Sequence, residues 1–181
     1  MIYRKRTNRV SDVIVTYSDD DTIYGVPTIK TKNGFVVDDI SLLDEYAYTD
    51  TIVLIAVASM QKHHGYERLI KGIHEYKENG GTQKVQLNLV GNLDSGLTSG
   101  DTGLTGGLLP GDAAANGVMF LGEKKGNELK QLFDQADIGL GSFGFHLIGA
   151  EKTVSSTLKT REYLAYGLPF ISACMEDIFL D

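Results

Sequence analysis

"TIVLIAVASMQKHHGYERLIKGIHEYKENGGTQKVQLNLVG", residues 51–91, is the stretch on which the fold turns. It opens with "TIVLIAVAS" (51–59), a continuous apolar and β-branched run of the kind expected for a strand covered on both faces. Tyr66, Leu69, Ile70, Ile73 and Tyr76 then recur at helical spacing, and Gly80-Gly81 supplies a stop. "KVQLNLVG" (84–91) reads as the next strand. Together they predict a β-α-β unit, which in a parallel sheet crosses over right-handedly.

The alternation continues downstream. "GVMFLG" (117–122) predicts a strand, and "NELKQLFDQA" (127–136) a helix with Leu129, Leu132, Phe133 and Ala136 on one face. "DIGLGS" (137–142) is a strand, residues 157–166 a helix and "PFISA" (169–173) a strand. Repeated strand–helix alternation implies an α/β fold, a Rossmann-like doubly wound parallel sheet. Upstream, "DVIVTY" (12–17) and Val26–Thr31 are β-branched runs, the second closed by a turn expected at Asn33-Gly34. "SLLDEYAYTD" reads as a linker or a short helical turn. Residues 92–116, about 25 in number, are rich in Gly, Ser, Thr and Asp. That is far beyond the usual connection length, contains no phosphate-binding fingerprint, and predicts a mobile loop. The chain ends at "MEDIFLD", directly after a strand where a doubly wound domain ordinarily adds a helix. The expectation is a chain cut from a longer protein. Residues 1–45 would then be the remnant of an upstream domain with a linker, and 46–181 a domain truncated at its C-terminus.

With 181 residues, 42% of them apolar, the chain can bury one ordinary core. A net charge of −7 argues against a nucleic-acid surface, which needs a clustered basic face; Arg4, Lys5, Arg6 and Arg9 are too short a run to supply one. Cys174 is the sole cysteine, so no internal disulfide framework exists and a reducing, cytoplasmic compartment fits. No apolar run approaches the length of a bilayer span. Peripheral membrane association stays open.

Three stretches lie where open α/β sheets take ligands, at the carboxyl ends of strands. "SMQKHHG" (59–65) puts Ser59, Lys62, His63 and His64 between a strand and a helix, which suits an anion and equally a solvated polar loop. Metal binding is disfavoured, because His63 and His64 point to different helix faces and Glu67 is the only nearby carboxylate. "VSSTLK" (154–159) opens a helix with small hydroxyl residues, whose backbone N–H groups either meet a phosphate or sugar hydroxyl or are simply capped. In "KTREYLAYGLPFIS" (159–172), Arg161 and Glu162 fall at 100° per residue on the same stripe as Leu158 and Ala165, the side expected to pack. A carboxylate there needs a partner: Arg161 or a lysine in an ion pair, or a ligand diol.

These segments, with "DVIVTYSDDDTIYGVPTIKTKNG", "IVLIAVASMQKHHGYERLIKGI", "VQLNLVG", "VMFLG", "ELKQLFDQADIGLGSFGFH" and "LKTREYLAYGLPFIS", resemble in content and order the retaining glycosyltransferases of the GT-B fold, family 4 type. The similarity spans nearly all the chain outside the 92–116 loop. It implies two Rossmann-like domains facing a cleft, with this chain holding the end of the first and most of the second, nucleotide-sugar-binding one. It implies transfer of a hexose-type sugar, with retention, to a glycan or lipid-linked acceptor bound mainly by the missing domain. Polysaccharide biosynthesis, for capsule, exopolysaccharide or lipopolysaccharide, is the expected setting. No metal or cofactor is implied, the donor diphosphate being stabilised electrostatically.

Carried over by position, Glu162 matches the ribose-binding second glutamate of the family's paired-glutamate motif. The first falls at Val154, with Glu151 the nearest carboxylate and the one catalytic candidate. Ser155, Ser156, Thr157 and Leu158 fall where the family offers backbone N–H groups to donor phosphates and sugar. The diphosphate-binding Arg and Lys fall at Ser59 and His64, so Lys62 is the substitute candidate and His64 a second. Glu123 and Lys124 match the region contacting the nucleobase. The alternatives are a nucleotide-sugar epimerase of the same fold, which needs an acid–base pair not evident here, and a non-catalytic sugar-nucleotide-binding module. Isolated, the chain is expected to be inactive, because donor and acceptor must be held together across two domains.

Overall fold

The computed structural model describes residues 10–38, 40, 42, 49–92, 117–148 and 154–180. The basic start, most of "SLLDEYAYTD", the 93–116 part of the long loop and Glu151 lie outside the described residues. The chain divides into two compact units, Met1–Gly34 and Phe35–Asp181.

The first unit holds a small sheet of three strands, β1 (Ile14–Thr16), β2 (Thr22–Ile23) and β3 (Val26–Lys30). β1 runs parallel to β3, and β2 pairs antiparallel to it with Ile23 opposite Val26. The turn of this unit is Tyr24-Gly25, with φ of 54° and 79°, the two left-handed central residues of a tight hairpin. Asn33 and Gly34, where a turn was expected, lie in irregular chain. A two-residue hairpin arm such as β2 carries too little periodicity to be read from sequence.

The second unit is an α/β sandwich. Its strands β4 (Thr51–Val57), β5 (Lys84–Val90), β6 (Val118–Gly122), β7 (Ile138–Leu140) and β9 (Phe170–Ile171) form one all-parallel sheet in the order β6-β5-β4-β7-β9. Helices α1 (Tyr66–Glu78), α2 (Gly126–Asp134) and α3 (Leu158–Ala165) link them. A separate two-stranded parallel ladder pairs β8 (Val154–Ser155) with β10 (Met175–Glu176).

β4 explains why the sheet is covered on both sides. Ala56, with Leu54 and Ala58, packs against Met60, Tyr66, Ile70 and Ile73, the α1 side. Ile55, with Val53 and Val57, packs against Phe133, Tyr163 and Leu168, the α2 and α3 side. Alternate residues of one apolar run thus serve two cores, which is what a central parallel strand requires. Tyr76 departs from the expected apolar stripe of α1. It is exposed, and its hydroxyl accepts a hydrogen bond from the Gln83 N–H at 2.9 Å, tying the helix end to the start of β5.

β4 and β5 pair along seven residues, whereas β4 and β7 pair only at Leu54–Ile138 and Ile55–Gly139. The strand order reverses between β4 and β7, the place where doubly wound sheets open a crevice. Tyr163 fills the gap from one face, its hydroxyl accepting from the Val57 N–H (3.1 Å) and donating to the Leu140 carbonyl (3.3 Å). Tyr66 reaches the same strand end from the other face, donating to the Gly141 carbonyl at 3.1 Å. The two hydroxyls replace the ladder bonds lost where the strands part. Burial, the largest cause, drives both phenol pKa values upward, so both stay neutral donors.

Candidate functional site at the carboxyl edge of the sheet

Loops following β4 and β7 meet at the reversal point. The Phe143 N–H donates to the His64 carbonyl (2.8 Å), the Gly144 N–H to that of His63 (3.1 Å), and the Arg68 guanidinium to that of Phe143 (2.9 Å). Such close backbone approach requires glycine at Gly65. Its φ is 63°, and a Cβ there would lie 2.6 Å from the Gly144 nitrogen.

Lys62, His63 and His64 form a single 3-10 turn ahead of α1. His64 is buried, its Nδ1 accepting from the Gln61 N–H at 3.0 Å. Burial and the neighbouring Lys159 ammonium lower its pKa to about 3. In the unliganded chain the ring is therefore neutral near pH 7. Lys62 lies on the turn between β4 and α1.

The first turn of α3 departs from the expected stripe. Leu158 is exposed, whereas Lys159, Thr160 and Arg161 are buried along with Tyr163. The helix enters across the carboxyl ends of the strands, so its inward first turn meets polar loop ends and not an apolar face. Arg161 does not pair with Glu162; its guanidinium binds Asp177 at 2.6 Å, both groups buried. That pair fastens α3 to the segment after β10.

The α3 N-terminus also differs from its expectation. Val154 and Ser155 belong to β8, so Ser155 sits in a ladder opposite Glu176 and ahead of the helix. Glu176, only 1% exposed, turns its Oε2 to the helix start. There it accepts from Thr157 N–H (3.4 Å), Thr157 Oγ1 (3.3 Å) and Thr160 Oγ1 (3.1 Å). A carboxylate at the positive end of a helix is the favoured arrangement, and here the protein supplies its own. Thr157 is therefore engaged; Ser156, half-buried, lies beside it.

Glu162, half-buried on the same helix, has no side-chain hydrogen bond or ion pair among the described residues. Burial raises its carboxyl pKa. Lys159, missed by the sequence reading, bridges the sheet edge: its ammonium donates to the Tyr66 hydroxyl at 3.1 Å. Burial lowers its pKa to about 7, with Glu176 and Cys174 pulling the other way. The available signal was a lysine three residues ahead of Glu162 in a turn that had to cross the strand ends.

A cavity of about 240 Å³ opens over the carboxyl ends of β4, β5 and β6. Val57, Ala58, Ser59, Gly91, Glu123 and Lys124 line it, so Ser59, Glu123 and Lys124 of the sequence reading come together. Two of its lining residues pack backbone to backbone: a Cβ on Gly91 would fall 1.8 Å from the Ala58 carbonyl oxygen. A larger cavity of about 570 Å³ lies at the β9 edge, lined mainly by apolar groups such as Leu164, Pro169 and Phe179. Its one carboxylate, Glu176, is already committed to the α3 N-terminus. Among the described residues no group of three His, Cys, Asp or Glu side chains could hold a metal ion. No described helix is long and apolar enough to cross a membrane. No family model matches this chain, and no curated protein matches it.

Proposed function

We propose that this chain is the donor-binding part of a retaining glycosyltransferase, a cytoplasmic enzyme of polysaccharide biosynthesis that passes a sugar from a nucleotide-sugar to a glycan or lipid-linked acceptor. The observation carrying this reading is Glu162. A half-buried carboxylate without a partner among the described residues is costly, and a ribose diol offers the two donors that satisfy it. The strand reversal between β4 and β7 and the cavity over β4–β6 supply the ordinary location for a nucleotide in such a sheet. In this reading the base enters that cavity and the ribose meets Glu162, with Lys62, on the turn after β4, as the candidate for the diphosphate. Retention and the acceptor follow from the resemblance alone.

Calorimetric titration with UDP, GDP and their sugars tests the proposal on protein shown by circular dichroism to be folded. Binding is expected, with Glu162→Ala weakening it roughly tenfold to a hundredfold through lost charge-assisted hydrogen bonds. Absence of binding at millimolar nucleotide would end the donor-site reading. Unchanged affinity in Glu162→Ala would remove Glu162 from the site. The neutral His64 and the self-capped α3 also favour a second reading, a non-catalytic sugar-nucleotide-binding module. That reading predicts binding without sugar transfer by the full-length protein.

A further inference from the structure

We propose that the cavity over β4, β5 and β6 selects guanine, so that the donor is a guanosine diphosphate sugar. The inference rests on the donor-site reading above and adds the identity of the base. At about 240 Å³ the cavity is smaller than the pockets that hold whole drug-sized ligands, and suits a base rather than an entire nucleotide. Two opposite charges, adjacent in sequence, stand on its rim: the Glu123 carboxylate and the Lys124 ammonium. Among the described residues each holds exposed partners. Glu123 accepts from Lys125 at 2.5 Å and Asn92 at 3.1 Å, and Lys124 pairs with Glu128 at 3.2 Å. Exposed pairs of this kind contribute little stability, so an incoming base can replace them.

Hydrogen bonds from Lys125 and Asn92 hold the Glu123 carboxyl below its usual range, so it is an acceptor on both oxygens. Guanine presents two neighbouring donors, N1–H and the N2 amino group, beside acceptors at O6 and N7. A carboxylate accepts the donor pair, and a lysine matches the acceptor pair. Uracil presents one N3–H between two carbonyl oxygens, so a carboxylate aimed at it meets repulsion on either side. Adenine and cytosine each offer an amino donor beside a ring-nitrogen acceptor, which likewise leaves one carboxylate oxygen facing a lone pair.

The test compares GDP, IDP and UDP by calorimetry on the folded parent chain and on Glu123→Gln, an exposed substitution that leaves the core intact. GDP is expected to bind roughly tenfold to a hundredfold more tightly than UDP, with IDP, which lacks the N2 amino group, in between. In Glu123→Gln the GDP preference should collapse toward the UDP value, because the glutamine amide keeps one acceptor oxygen but sets an NH2 donor against the second guanine donor. UDP binding as tightly as GDP would overturn the guanine assignment while sustaining the donor site. A GDP preference that persists in Glu123→Gln would overturn the role given to Glu123. Failure of all three nucleotides would overturn this inference together with the donor-site reading.

Discussion

Replacing Asp177 by Asn removes one charge from the buried ion pair that ties α3 to the chain after β10. Both groups are 7% exposed and 2.6 Å apart, and the guanidinium's other acceptor among the described residues is the Thr157 carbonyl at 3.3 Å. In Asp177→Asn the Arg161 charge stays buried without its counter-ion. Breaking a buried pair from one side costs about 3–5 kcal/mol, which lowers the folded-to-unfolded ratio roughly 150- to 5,000-fold. With a urea dependence near 2 kcal/mol per molar, the unfolding midpoint should fall by about 1.5–2.5 M. Urea titrations followed by circular dichroism read that shift directly. The double variant Arg161→Met/Asp177→Leu removes both charges and should recover most of the loss, since apolar replacement of a whole buried pair is often neutral or stabilising. A loss below about 1 kcal/mol in Asp177→Asn would refute the burial argument. So would a double variant no better than the single.

Three further outcomes follow from the site. Glu162 has a folded-state pKa above the ordinary 4.5, so its cost is present above that raised value and vanishes below 4.5; stability falls as pH rises through the window. Glu162→Gln should therefore raise Tm at pH 7 and match the parent near pH 4, in thermal scans without ligand. Lys159 titrates near 7 when folded against 10.5 when unfolded, so its burial cost is full below 7 and relaxes as pH rises toward 10.5. Parent Tm measured relative to Lys159→Met should accordingly improve between pH 6.5 and 9, and a constant difference would contradict the buried ammonium. Gly65→Ala places a Cβ against the Gly144 backbone at a φ of 63° and should cost more than about 1 kcal/mol in urea unfolding. A cost within a few tenths would mean that the loops after β4 and β7 are not locked together.

The parallel sheet was legible because β4 and β5 are continuous apolar runs and α1 between them carries five apolar residues at helical spacing. β8, β10 and the hairpin arm β2, two residues each, fall below any period that a sequence can display. Glu123 and Lys124 were placed by resemblance, and Ser59 by its position after a strand; the structure sets all three around one cavity. The misread part was α3. A helical wheel assumes that the packed side is apolar, but the first turn of α3 is buried among loop ends and neighbouring polar chain. There Lys159 meets Tyr66, Thr160 meets Glu176 and Arg161 meets Asp177, while Leu158 faces solvent. Each of those partners lies at least 16 residues away in sequence, so no local pattern announces it. Part of the lowering of the His64 pKa has the same origin, for Lys159 approaching from α3 adds to the larger effect of burial.

The donor-site account is tested most directly by amide chemical-shift mapping of the folded chain during titration with GDP and UDP. The account predicts perturbations concentrated at Ala58, Ser59, Gly91, Asn92, Glu123 and Lys124 and extending to Glu162, saturating with nucleotide. Shifts confined to the apolar cavity beside β9, or none at millimolar nucleotide, would contradict it.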